Sequence, residues 1–428
     1  MNESIRWEIT NNCNLCCEHC AVSEVSSCDM SFEKAKEIVN RLVESGVKEI
    51  LFSTKEPFAY QYIWELLEYC SISGIYSKIV TNGTLLTEEK VKRLFKFKIK
   101  YISISMDGWT AEDNDAIRGN GTFELINRAI SLFCKYNSDP DYSYIPIYVQ
   151  TIINEYNLRH VEKLEDLCER YPDVVFSLAP LVWLGNAKTN KYISAEKRWK
   201  ERKKDVFDII RKKGRQVFFR ENSYYESIVN NFLYGLNQMP LIPSCNSRAH
   251  DYFTIMPSGE LCKCMMLLDS SVKVPFRVMY GDILSEPKNI MDDVTEDYSF
   301  KDNQTCRSCS IREECSMCYA IVYSEESLAE QIEKCRTGQT EYMLLLDQIE
   351  QGKIKARINS ELILSENHID VILKTGVTKR IGSLSERNIM FIGKNYDALS
   401  IDPGSISQLS REDIEELLAN NIIRRADG

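Results

Sequence analysis

Between residue 1 and about residue 185, short runs rich in β-branched and aromatic residues alternate six times with longer amphipathic stretches, and no other feature limits the possible folds as much. The strand-like runs are Ile5–Thr10, Glu49–Ser53, Ser77–Thr81, Tyr101–Met106, Pro146–Ile153 and Val174–Ala179. Between them, Ser31 opens a helical pattern as its cap, with Lys34 where a capping box would carry Glu or Gln, and Thr87 opens another. Repeated strand–helix–strand order predicts a parallel sheet with helical crossovers. Six such units are three-quarters of an eight-unit barrel, so the expected fold is α/β, a partial (β/α)6 TIM-like barrel with one open side. Loops that follow the C-terminal ends of its strands are where an active site is expected.

The rest of the chain reads differently. Residues 191–240 form an expected bridge: a helix over Ala195–Lys213, a short strand over Gln216–Arg220 and a helix near Tyr224–Tyr234. From Cys245 to Cys335 periodicity weakens and cysteine becomes dense, as in a fold organised by metal. Alternation returns in Ile354–Leu364 and Asp370–Leu373, and Ser410-Arg411-Glu412-Asp413 is a capping-box pattern before a last helix. Asn420-Asn421 then marks a stop, and Ile422–Arg425 a final strand. The expected segments are therefore 1–190, 191–240, 241–341 and 342–428, the last a small α+β extension.

No run of about 18 apolar residues is present to cross a bilayer, and the charged N-terminus lacks the apolar centre of a secretory signal. A cytoplasmic protein without membrane contact is expected. The net charge of −10 argues against a protein that mainly grips nucleic-acid backbones. Sixteen cysteines in a reducing compartment point to metal or catalysis rather than to disulfides.

Cys13, Cys17 and Cys20 lie directly after the first strand, at the end where a barrel keeps its active site. Three thiolates on one short loop can hold three irons of a [4Fe–4S] cube and leave the fourth open to an outside chelator. A zinc loop is the bland alternative, but three thiolates without a nearby fourth ligand suit zinc poorly. Cys16 is expected to be a packing residue, as are Cys70, Cys134 and Cys168. Cys28 sits in the following loop, where a thiol hydrogen donor would be placed, and no other residue is assigned a catalytic role.

The spacing Cys13-x3-Cys17-x2-Cys20, with the Cys-Asn-Leu opening and an aromatic His19, resembles the signature of radical S-adenosylmethionine enzymes. The resemblance implies that the amino and carboxylate groups of S-adenosylmethionine chelate the open iron. Reductive cleavage then yields a 5′-deoxyadenosyl radical that abstracts a substrate hydrogen. It also implies site residues at successive strand ends. Phe52-Ser53-Thr54-Lys55-Glu56-Pro57 stands where the family has Gly-Gly-Glu-Pro, so Glu56 matches the acid near the methionine ammonium. Thr54 and Lys55 replace two glycines and, having Cβ atoms, resist positive φ. Asn82, Ser105 and Arg118 fall in loops resembling those around the methionine and ribose, with Arg118 toward the carboxylate. Gln150 and Asn154 are candidate ribose contacts; turn or surface polarity is their ordinary reading.

Further on come Cys245, Gly259, Cys262, Cys264, the run Cys306-x2-Cys309-x5-Cys315-x2-Cys318, and Cys335. Taken alone, such Cys-x2-Cys pairs serve zinc equally well. The pattern resembles the SPASM region of radical enzymes, one gap being a residue shorter. That resemblance assigns Cys306, Cys309, Cys315 and Cys335 to a second auxiliary [4Fe–4S] cluster. It assigns Cys245, Cys264 and Cys318 to a first, with Cys262 or an open position as fourth ligand.

Enzymes with such regions mostly modify ribosomally made peptides, by cross-linking, epimerisation or side-chain oxidation. The expected partners are a precursor peptide or a small-molecule substrate, and a reductant such as flavodoxin or ferredoxin. No peptide-recognition domain precedes the first strand, so leader binding would fall to the final ~80 residues or to a separate protein. The alternatives are a radical enzyme of small-molecule metabolism and, from another class, a non-catalytic iron–sulfur or zinc scaffold.

Overall fold

The computed structural model describes residues 3–22, 29–220, 223–236, 253–268, 272, 277–285, 299–315, 317–322, 325–351, 353–359, 362–365, 368–372, 378–381, 384–396, 401–406 and 408–426. These fall into two compact units that interleave along the chain. The first comprises residues 1–202, 245–297 and 317–328, and the second residues 203–244, 298–316 and 329–428. The cysteine-rich segment is thus shared between the two, with the division falling between Cys315 and Cys318.

In the first unit the alternation resolves into β1 (Ser4–Trp7), α1 (Phe32–Glu44), β2 (Glu49–Phe52), α2 (Ile63–Ile72), β3 (Tyr76–Thr81), α3 (Glu88–Leu94) and β4 (Ile99–Ser105). It continues through α4 (Ala111–Arg118), α5 (Thr122–Asn137), β5 (Ile147–Ile152), α6 (Lys163–Arg170) and β6 (Val174–Ala179). Strands β1 to β6 pair in parallel and in sequence order, forming a barrel-like sheet. Trp7, Phe52 and Ile79 are register neighbours on β1, β2 and β3, and all three side chains are fully buried. Ser31 and Thr87 cap α1 and α3 as expected, each accepting from the amide three residues on. Lys34, with no carboxylate to close a box, instead reaches the carbonyl of Ser258 at 2.8 Å and pairs with Asp282.

The cysteine-rich segment contains strands that the sequence pattern did not reveal. After α7 (Glu196–Lys213), β7 (Val217–Phe219) and α8 (Tyr224–Tyr234) come β8 (Thr254–Ile255), β9 (Glu260–Cys262) and β10 (Met279–Asp282). β8 pairs in parallel with β1, and β9 and β10 follow antiparallel, so the sheet continues beyond its first strand. Two to four residues are too few for an alternation of period two to be legible.

The second unit is organised around another core. It uses α9 (Gln304–Arg307), the greater part of α11 (Glu325–Glu350), β11 (Ala356–Ile358), β12 (Leu362–Ser365), β13 (His368–Ile372) and β14 (Thr378–Ile381). α12 (Glu386–Asn395), α13 (Pro403–Ile406), α14 (Arg411–Ala419) and β15 (Ile423–Arg425) complete it, while the short α10 (Tyr319–Val322) belongs to the first unit. α11 runs straight through the expected boundary at residue 342. The alternation expected over Ile354–Leu364 is two strands in different sheets, β11 paired with β15 and β12 with β13. Between them, buried Asn359 binds the carbonyl of Asn421 at 2.9 Å, which ends the first strand. Ser410 and Asp413 form the expected capping box. Phe232, Leu346, Ile349, Ile392, Ile414 and Leu417 lie in the apolar core.

Candidate functional site

The loop that carries Cys13, Cys17 and Cys20 follows β1 and is held along its whole length. At its start the Asp29 carboxylate accepts from the Thr10 hydroxyl at 2.8 Å, the Asn11 amide at 3.2 Å and the Asn12 side chain at 2.9 Å. In the middle, Asn82 at the end of β3 donates to Asn14 at 2.9 Å, with the same nitrogen 3.9 Å from the Cys13 sulfur. At its end the segment after β6 holds the carbonyls. Asn186 binds Cys17 O through its side chain and Cys20 O through its amide, both at 2.9 Å, and Asn190 binds Glu18 O at 2.9 Å. Tyr192 donates to the Glu18 carboxylate at 2.7 Å. Gly185 takes φ 56°, and a Cβ there would lie 2.3 Å from Cys20 O. Sequence reasoning missed this clamp, because its residues are common turn formers far from the motif.

The thiols fit an iron–sulfur cube by their chemistry and their crowding. Burial pushes Cys17 up to about 11, with Asp107, Cys20 and Cys13 adding to the rise and Arg118 opposing it. Burial also raises Cys13, helped by Glu56 and Cys20 and opposed by the Leu15 amide and by Lys55. Thiols that penalise one another's charge are stabilised by bound cations, since a coordinating thiol is deprotonated outright. Among the described residues no three His, Cys, Asp or Glu side chains converge as the ligands of a single ion would. The corners of a cube, each with its own iron, need no such convergence. Cys16, expected in the packing, is instead exposed on the irregular loop; Cys70 and Cys168 are buried. Cys28 and Cys245 lie outside the described residues.

Glu56 is fully buried and accepts from the Thr81 hydroxyl at 2.8 Å, the Asn82 amide at 2.7 Å and the Phe58 amide at 3.1 Å. Burial outweighs these bonds and raises its pKa. Arg118, expected toward the cofactor's carboxylate, pairs with Asp107. Its Nε and Nη2 lie 2.6 and 2.5 Å from Asp107, whose other oxygen accepts from the Ile152 amide at 2.7 Å. Burial opposes the Asp107 charge, but Arg118 and His19 hold its pKa below the usual range. His19 Nε2 sits 3.2 Å from the same carboxylate, and burial lowers its pKa against the pull of Asp107. The buried Nδ1 of His19 has no hydrogen-bond partner among the described residues. Ser105 and Gln150 are half-buried register neighbours at the C-terminal ends of β4 and β5. Asn154 is used structurally: its amide nitrogen binds the carbonyls of Asp107 and Ile152, and its oxygen accepts from Tyr156 and Asn157.

Thr54 and Lys55 both adopt positive φ, 62° and 37°. The left-handed region costs a residue with a Cβ roughly 1–2 kcal/mol, so the backbone keeps a glycine-like turn without glycine. The Thr54 hydroxyl bonds the buried Glu8 carboxyl, whose pKa burial raises to about 7.

The remaining cysteines gather in two places, one in each unit. In the first unit Cys264 and Cys318 pack against the same apolar group, Leu184, Leu267 and Val272. Cys262 closes β9 against Met256, and burial and Cys264 raise it to about 12. In the second unit Cys335, on α11, is pushed by burial up to about 11 and feels Cys306, Cys315 and Cys309 together. Asn303 caps α9 by accepting from the Cys306 amide, and donates to the Cys306 sulfur, both at 3.0 Å. Gln331 donates to the Cys335 sulfur at 3.7 Å.

The radical SAM superfamily model matches residues 7–168. The AdoMet-dependent heme synthase of Methanosarcina barkeri is 29% identical over 194 residues, which cover 44% of this chain and 54% of that protein. The mycofactocin maturase MftC of Mycobacterium tuberculosis is 30% identical over 169 residues, 39% of this chain and 42% of that one. The chain thus spans about half the length of the curated relatives it matches. Among solved structures, native anSMEcpe with bound AdoMet and Cp18Cys peptide superposes with a TM-score of 0.58 at 20% identity, over 80% of this chain and 98% of that chain. The match thus makes residues 7–168, which carry the three-cysteine loop after β1, a radical SAM domain.

Proposed function

We propose that this chain binds a [4Fe–4S] cluster on Cys13, Cys17 and Cys20, cleaves S-adenosylmethionine reductively and modifies a ribosomally made peptide. The observation that carries the reading is the crowded, clamped thiol loop, beside which stand Glu56, Asn82 and the Asp107–Arg118–His19 group. When bound, the cluster and S-adenosylmethionine would supply an open iron and a carbon radical able to remove a substrate hydrogen.

The chain's own residues do the holding. Asn186 and Asn190 fix the loop carbonyls of Cys17 and Glu18. Glu56, buried beside Asn82, offers a carboxyl to the cofactor's ammonium, and the buried Nδ1 of His19 offers a hydrogen-bonding group fixed in direction by Asp107. Ser105 and Gln150 present polar groups side by side at the sheet's C-terminal edge, where ribose hydroxyls would be met. Arg118 acts through Asp107 rather than on a ligand directly.

Cys306, Cys309, Cys315 and Cys335 would hold one auxiliary cluster, and Cys264, Cys318 and Cys245 another, with Cys262 or an open position as fourth. Such clusters can take the second electron of a net oxidation, which suits cross-linking or side-chain oxidation. A small-molecule substrate is the second reading, favoured by the relatives named as heme synthase and Fe-coproporphyrin III synthase.

The test is anaerobic reconstitution with reductant and S-adenosylmethionine, alone and with peptides encoded beside the gene. Formation of 5′-deoxyadenosine, about twelve irons per chain and a peptide mass shift are expected. No 5′-deoxyadenosine would refute the enzyme in favour of a scaffold. About four irons with zinc would refute the auxiliary clusters.

A further inference from the structure

Where a capping box would put Glu or Gln in the first turn of α1, this chain has Lys34, and its side chain works at long range. The ammonium donates to the carbonyl of Ser258 at 2.8 Å and pairs with the carboxylate of Asp282. It thus grips the turn between β8 and β9 together with the end of β10. Gly259 makes room for it: its φ is 90°, and a Cβ there would lie 2.6 Å from Lys34 Cε and 2.7 Å from Nζ. The same tip is closed by the Ile283 amide, which donates to Gly259 O at 3.0 Å. Five residues before Lys34, Asp29 holds the start of the thiol loop through Thr10, Asn11 and Asn12. A half-exposed ion pair adds little stability by itself, so a lysine seated this closely points to placement as its use.

What the grip places is the hairpin that carries Cys262 and leads to Cys264. Both lie against the end of the thiol loop. Val22 packs on the Met256–Cys262 pair, and Ala21 packs on the same apolar group as Cys264 and Cys318. The Cys20 sulfur is itself 3.3 Å from Val22 O. We infer that Lys34 is a positioning residue, which fixes the spacing between the cluster on Cys13, Cys17 and Cys20 and the first auxiliary cluster on Cys245, Cys264 and Cys318. This rests on the reading that both clusters are held. Spacing decides how strongly the unpaired electrons of the two reduced clusters act on each other, and a hairpin released from α1 would not keep it.

The test uses the full-length chain, reconstituted anaerobically and chemically reduced, as wild type, Lys34→Met, Asp282→Asn and Lys36→Met. The last removes a charge of α1 that pairs with Glu33 on its own helix. Electron paramagnetic resonance of the wild type should show spin coupling that a Cys13/Cys17/Cys20→Ala variant and a Cys264/Cys318→Ala variant both lack. Lys34→Met and Asp282→Asn should lose that coupling at unchanged iron content. Hydrogen exchange should show lost protection at the amides of Gly259, Lys263 and Ile283 but not at that of Ile102. Lys36→Met should match the wild type. Loss of the auxiliary cluster from Lys34→Met alone, together with the hairpin's protection, also supports the proposal. Coupling kept in Lys34→Met overturns it and leaves the clusters standing, even if protection falls, because the lysine then steadies the hairpin without setting the spacing. An equal loss in Lys36→Met, or a fully loaded wild type without coupling, overturns it as well. A wild type with no iron beyond about four per chain overturns the auxiliary reading and the proposal with it.

Discussion

The thiol loop of the first unit and the four thiols of the second are built on opposite principles. Cys13, Cys17 and Cys20 ride on a loop that protein groups already hold, through Asp29, Asn82, Asn186 and Asn190, above a sheet with its own apolar core. Cys306, Cys309 and Cys315 sit on a one-turn helix and the turns after it, with Cys335 supplied from α11. Little regular structure fixes their spacing. The difference teaches that the proposed cluster site of the first unit is shaped by protein groups alone, whereas the one proposed in the second unit would use metal as part of its fold.

The largest effect expected from this contrast is on chemistry. Replacing Cys13, Cys17 and Cys20 together with alanine should abolish 5′-deoxyadenosine formation while circular dichroism and melting stay near wild type. Loss of the fold would break the contrast, and retained cleavage would remove the loop from the chemistry. Next in size, Cys306→Ala with Cys335→Ala should loosen the second unit by several kcal/mol. Hydrogen exchange would register this as lost protection around Leu346 and Ile414, and unchanged protection would mean that its core needs no metal.

Glu8 sharpens the account of the first unit. Its carboxyl titrates at about 7 when folded, against 4.5 as the ordinary value, so the folded state keeps a proton that the unfolded chain releases. Its contribution is therefore complete below about pH 4.5 and is lost as pH rises through 7, by about 3 kcal/mol at most. Glu8→Gln should flatten that slope in denaturant titrations at pH 5 and pH 7.5. The smallest effect belongs to the second unit, where Ser410→Ala breaks the capping box of α14 and should cost about 1 kcal/mol. A drop in melting temperature confined to that unit is the expected sign.

Much of this was legible in the residues. Ser31, Thr87 and Ser410 cap the helices they were expected to cap, because a cap is a bond across three residues. The six parallel strands follow from alternation repeated over many residues, and the thiol loop follows from cysteine spacing. The ion pair of Arg118 with Asp107 was not legible, because the two lie eleven residues apart across a turn whose closure no local pattern specifies. Cys16 was misread because exposure on an irregular loop has no period.

Sequence alone determined the strand–helix order of the first six units, the caps and the cysteine spacing, since each depends on residues close together in the chain. Tertiary structure decided that β8 continues the sheet beyond β1, and that Asn186 and Asn190 close on a loop some 170 residues away. It also decided that the division between the units falls between Cys315 and Cys318. The turn at Thr54 and Lys55 shows the reason most directly. Local preference forbids its φ values, and contacts with Glu8 and Asn12, brought alongside by pairing of β1 with β2, impose them.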